Sequence, residues 1–116
     1  MCQICRNENL EELNGLYYWG CPQITFIPII PGLKELNCIN CLQLTSIPII
    51  PGLKQLRCIN CLQLTSIPTI PGLKELHCWY CRLLTFIPII SKLKKIHCIN
   101  CSLIIIPELK EIYCHL

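Results

Sequence analysis

Cys38-x-x-Cys41 is followed, after sixteen intervening residues, by Cys58-x-x-Cys61, and the pair returns as Cys78-x-x-Cys81 and Cys98-x-x-Cys101. Two such pairs at this separation match the spacing of a four-cysteine zinc site, with thiolates held at ~2.3 Å from the metal. Two other readings stand beside it. The cysteines could be bridged as disulfides where paired Cα atoms come within about 7 Å. Or they are reduced thiols that pack as small apolar residues with a weak hydrogen-bond donor. A repeated sequence produces the zinc spacing at every pair of units, so the match is not independent evidence for metal. A thioredoxin-like redox role needs an acidic thiol at a helix N-terminus. These cysteines fall at strand ends in an apolar pattern.

A second set of residues suits recognition. Tyr17, Asn37, Arg57, His77, His97 and Tyr113 share one position of the repeating unit. Trp19, Ile39, Ile59, Trp79, Ile99 and His115 share the position two residues later. Aromatic, Arg and His side chains on a rigid surface are the usual composition of a protein-binding hot spot. The unit holding His77 departs most from the others, replacing Ile-Asn by Trp79-Tyr80. Tyr17, Trp19, Arg57, His77, Trp79, Tyr80 and His97 are therefore the candidate partner-binding residues. The plainer alternative is that Trp79 and Tyr80 only cover a strand end. His77 and His97 occupy matching positions, which brings a weak two-histidine metal site into view beside a simple exposed pair. The column Lys34, Lys54, Lys74, Lys94 and Lys110 suits a polyanion or, with Glu35, Glu75 and Glu111 beside it, a solvated edge.

These residues are placed by a twenty-residue repeat whose copies begin at Cys21, Cys41, Cys61 and Cys81. A strict period of this length means stacked units. Within one copy, Leu53, Leu56 and Cys58 alternate with polar Gln55 and Arg57, the period of a strand with one buried face. Ile67-Pro68-Thr69-Ile70-Pro71 carries prolines three apart, which excludes an α-helix and predicts an extended, polyproline-like return. Gly72 then releases the backbone into the next strand. Strands are expected near residues 13–18, 33–38, 53–58, 73–78, 93–98 and 109–114, all in one parallel sheet. Asn40, Asn60 and Asn100 read as a hydrogen-bonded amide ladder at the turns.

Leu53-x-x-Leu56-x-Cys58-x-x-Cys61-x-x-Leu64 resembles the leucine-rich repeat pattern in its cysteine form. The segment LTSIPxIPGLKxL is similar to the short twenty-residue subclass of bacterial effectors and of giant amoebal virus repeat proteins. The resemblance implies a single solenoid over residues 1–116, with residues 1–12 as a partial repeat. It implies a concave parallel sheet, an extended convex side with little or no helix, and binding of partners on the concave face. It is specific for fold and says little of function. With a chain rich in Ile, Asn and Lys, it points to a viral origin and hence to host cytoplasm.

Neither end shows a polar cap. Exposed strand edges invite pairing, which predicts self-association through the C-terminal strand carrying Leu109, Glu111, Tyr113 and Cys114. A cap formed by residues 1–12, or a longer parent protein, would remove that need.

The chain contains no Asp, Ala or Val, its net charge is +3, and its apolar runs are short and broken by proline. No nucleic-acid partner is demanded by that charge, no membrane span is indicated, and no signal peptide is seen at the start. A reducing, cytoplasmic setting follows as the expectation. No catalytic constellation or phosphate-binding glycine loop is present. The reading is a non-enzymatic protein-interaction scaffold without cofactor. The alternative is a metal-binding or thiol-redox protein using zinc on Cys38, Cys41, Cys58, Cys61, Cys78, Cys81, Cys98 and Cys101.

Overall fold

The computed structural model describes residues 22–30, 32–85 and 87–101, and the backbone of 15–18 and 111–115. The proposed partial repeat at 1–12 and the residues Trp19 and Leu109 lie outside that set. Six strands follow one another: β1 (Gly15–Tyr18), β2 (Glu35–Ile39), β3 (Gln55–Ile59), β4 (Glu75–Trp79), β5 (Lys95–Ile99) and β6 (Glu111–His115). They form one sheet in chain order, every pair parallel. The register never slips, so Leu36, Leu56, Leu76 and Ile96 stand side by side, as do Cys38, Cys58, Cys78 and Cys98. The molecule is a parallel β-solenoid, with no helix among the described residues.

The strands of the four central units begin two residues later than the alternation pattern places them and run one residue further. The reason is local. The N–H groups of Leu33, Leu53, Leu73 and Leu93 donate to the carbonyls of Ile30, Ile50, Ile70 and Ile90 at 3.1–3.3 Å. That bond closes a four-residue turn, so these leucines face the core while belonging to the corner. Gly32 and Gly52 take positive φ of 82° and 87° there, as the second central residue of a type II turn requires. Gly72, in the same local sequence, does not. The expectation that Gly72 is needed for backbone freedom is thus corrected, and Lys92 occupies the equivalent place one unit later.

The return segment has its own period. Cys41, Leu44, Ile47, Ile50 and Leu53 are buried at intervals of three residues, while the positions between them are exposed or half-buried. Three residues per turn is the polyproline period, and the prolines at 48 and 68 hold φ near the value it needs. Each unit sends the same seven positions inward, for example Leu53, Leu56, Cys58, Cys61, Leu64, Ile67 and Ile70, all at most 2% exposed. Burying a Leu or Ile side chain contributes roughly 1.5–3 kcal/mol, so this continuous column holds the stack together.

Neighbouring units are also joined at the corners. Asn40, Asn60, Tyr80 and Asn100 all adopt left-handed backbone, with φ of 58°, 58°, 59° and 57°. This turns the chain out of each strand and aims the corner N–H forward. Asn40 N donates to Ile59 O at 2.9 Å, Asn60 N to Trp79 O at 2.7 Å, and Tyr80 N to Ile99 O at 2.7 Å. Asn60 Nδ2 donates to Asn40 Oδ1 at 2.8 Å, so one rung of the expected amide ladder is present.

Candidate functional site

Period-2 alternation turns positions 35, 37 and 39 of each unit away from the core. Because the register is unbroken, these positions make three rows across β2 to β5. A groove of about 390 Å³ lies over them, lined by Asn37, Ile39, Arg57, Ile59, His77, Trp79 and His97. One wall, Ile39, Ile59 and Trp79, is apolar. The other, Asn37, Arg57, His77 and His97, is polar. Volumes of this order are typical of ligand sites.

Three rings form a cluster in the groove. His77 lies 5.4 Å from His97 with planes at 88°, and Trp79 lies 5.8 Å from His97 and 6.4 Å from His77. These edge-to-face arrangements are the ones that suit the charge distribution of aromatic rings. Burial lowers the pKa of His77 below its usual value, and the positive charge of Arg57 lowers it further. Glu75 works in the opposite direction, with its Oε2 3.7 Å from His77 Nε2. At that distance the carboxylate attracts the ring without making a hydrogen bond. His77 Nε2 is therefore buried and unsatisfied, and so is Trp79 Nε1. Each such group costs about 1–3 kcal/mol.

Of the residues chosen from the sequence, Arg57, His77, Trp79 and His97 come together in this groove. Tyr80 does not line it; its side chain is exposed at the adjacent corner. Tyr17 lies on β1, paired with Asn37. Glu111, Tyr113 and Cys114 lie on β6, paired with Lys95, His97 and Cys98. Asn37, Ile39 and Ile59 were not chosen, yet they complete the groove. The signal was available, since they share columns with Arg57 and Trp79.

The cysteines take a different role from the histidines. Cys38, Cys41, Cys58, Cys61, Cys78, Cys81, Cys98 and Cys101 are all buried and not joined in disulfides. The turn cysteines donate across the unit boundary: Cys61 Sγ to Cys38 O at 3.4 Å, Cys81 Sγ to Cys58 O at 3.2 Å, and Cys101 Sγ to Cys78 O at 3.0 Å. A bond to the neighbouring thiol raises the pKa at Cys38, Cys58, Cys61 and Cys101, and burial adds to it. At Cys81 the Cys101 thiol pulls downward, but Cys61 and burial outweigh it and the value is pushed up to about 12. Cys41 goes the other way, lowered by bonds with the Cys38 and Cys61 thiols. Among the described residues no three or more His, Cys, Asp or Glu side chains group as metal ligands. The zinc spacing in the sequence therefore finds no matching geometry.

The sequence reading also missed an apolar ridge on the return segments. Ile29, Ile49 and Ile89 are 62%, 52% and 84% exposed, with Thr69 in the same column. On the sheet face, Ile39, Ile59 and Ile99 are half-buried. Among the described residues, no helix is long and apolar enough to cross a membrane. Comparison with protein-family models, with curated proteins and with solved structures returns no match, so the role of the groove rests on its own residues.

Proposed function

We propose that the chain is a non-enzymatic interaction scaffold that binds a protein partner on its outward sheet face. The carrying observation is the groove itself, in which an apolar wall of Ile39, Ile59 and Trp79 faces Asn37, Arg57, His77 and His97. Around it, the stack bonds its corner amides to the next unit and its turn thiols to the preceding one. An apolar wall beside an exposed arginine and an indole is the composition of a protein-binding hot spot. The repeat pattern supports assignment to the short leucine-rich repeats, with a viral source and a cytoplasmic setting. β6 pairs with β5 on one side only in the described sheet, which supports self-association of copies through that edge.

A photo-crosslinking side chain placed at residue 57 and, separately, at residue 89 tests the reading in cells. A partner trapped from position 57 and not from position 89 is expected. Equal yields from both faces would overturn the assignment to the sheet. Sedimentation velocity over a concentration series tests self-association, and a single monomeric species throughout would remove it.

A further inference from the structure

The lining of the groove also specifies what kind of segment it takes, provided the sheet-face reading above holds. Arg57 is exposed and, among the described residues, within ion-pair reach of no carboxylate. Its ladder neighbours are Asn37 and His77. Among the described residues, the ion pair of Glu75 with His77 lies on the next strand. An incoming carboxylate is therefore attracted to Arg57 and repelled from the His77 end.

The His77 end of the groove differs. Glu75 already holds its carboxylate 3.7 Å from His77 Nε2, so a second carboxylate there is electrostatically disfavoured. Ile39 and Ile59 beside Trp79 accept an apolar side chain. The rows span β2 to β5, three strand spacings of ~4.8 Å or about 14 Å, the length of about four extended residues.

We propose that the groove binds an extended peptide segment of a partner protein. An Asp or Glu of that segment pairs with Arg57. A neighbouring Leu, Ile, Phe or Trp lies on Ile39, Ile59 and Trp79. The apolar wall supplies area, and the arginine supplies the choice of residue, because arginine and carboxylate make paired, charge-assisted bonds.

The test is selection of a random dodecapeptide library on the purified chain, with Arg57→Glu and Trp79→Phe variants run in parallel. Circular dichroism checks that both variants keep the wild-type fold. Enriched peptides are expected to share an acidic residue next to a large apolar one. A synthetic winner with that acid changed to its amide should bind about tenfold more weakly, and Arg57→Glu should abolish the enrichment. Peptides that need Trp79 but carry no acidic residue would overturn the acidic-segment inference and leave the sheet-face reading standing. Peptides indifferent to both substitutions, or no enrichment at all, would overturn both.

Discussion

Asn60 donates through Nδ2 to Oδ1 of Asn40 at 2.8 Å, and Tyr80, next in the same column, cannot extend that bond as an amide would. The three residues share a left-handed φ within one degree of each other. Asn tolerates this conformation; an aromatic residue pays roughly 1–2 kcal/mol for it. Tyr80→Asn is expected to stabilise the fold by about 1 kcal/mol, from relief of strain and a continued ladder. Urea unfolding would read it as a higher midpoint with unchanged slope. A lower midpoint would mean that the tyrosine ring stabilises more than its backbone costs.

Gly52 and Gly72 both sit in the hexapeptide Pro-Ile/Thr-Ile-Pro-Gly-Leu, which differs only in Ile49 against Thr69, yet their backbones differ. Gly52 holds φ at +87°, and a side chain there is strained whatever the space. A methyl group at Gly72 would meet Lys54 Nζ at 3.4 Å and Leu53 O at 3.6 Å, ordinary contacts. Gly52→Ala should cost about 1 kcal/mol or more, while Gly72→Ala should be neutral or stabilising by about 0.4–1 kcal/mol. Equal effects in thermal melts would contradict the difference in turn geometry.

The thiol columns predict alkaline sensitivity. Cys81 ionises near 9.0 when unfolded and is pushed up to about 12 when folded. The folded state therefore holds its proton more tightly, and the stability this contributes is full below pH 9 and lost as pH rises toward 12. Cys38, Cys58, Cys61 and Cys101 shift in the same direction and Cys41 in the other. The urea midpoint should fall steadily above pH 9, and Cys81→Ser should flatten the slope. A midpoint constant to pH 11 would contradict the packing of the thiols, as would rapid alkylation of Cys81 in the folded protein at neutral pH.

His77 should titrate below its usual 6.5, since burial and then Arg57 on β3 lower it, and His97 on β5 adds to them against the pull of Glu75. The neutral ring is favoured in the fold, so this contribution to stability is present above pH 6.5 and lost as pH falls through the depressed value. Imidazole resonances followed by NMR would give the midpoint. Arg57→Gln should raise it, and a value unchanged in that variant would show that the guanidinium does not act on the ring.

The stack, its parallel strands and its inward positions were legible because period 20 and period 2 are both written in residue types. Leu53, Leu56 and Cys58 alternate openly with Gln55 and Arg57. The return was harder. Ile49 and Ile50 are adjacent and equally apolar, yet one is 52% exposed and the other 0%. Only the three-residue period of the backbone separates them; neither is polar, and Thr69 marks the exposed column only one unit later. Strand starts were displaced for a similar reason: Leu33 looks like the first strand residue, but its N–H is taken by Ile30 O in the corner turn. In the groove, the columns of Arg57, His77 and Trp79 could be read from spacing. Which donors were left without acceptors could not, since that depends on ring orientation and on the 3.7 Å gap to Glu75.

At each corner the amide donates forward to the following unit and the turn thiol donates back to the preceding one, from Cys38–Cys61 to Cys78–Cys101. An in-frame duplication of twenty residues therefore copies one complete junction and leaves the others untouched. Such a gene can lengthen or shorten its product by one strand, about 4.8 Å at a time, without inventing new contacts. The Trp79-Tyr80 unit differs from its neighbours. Proteins grown from this template by copying the plainer units would change in reach and keep a single groove.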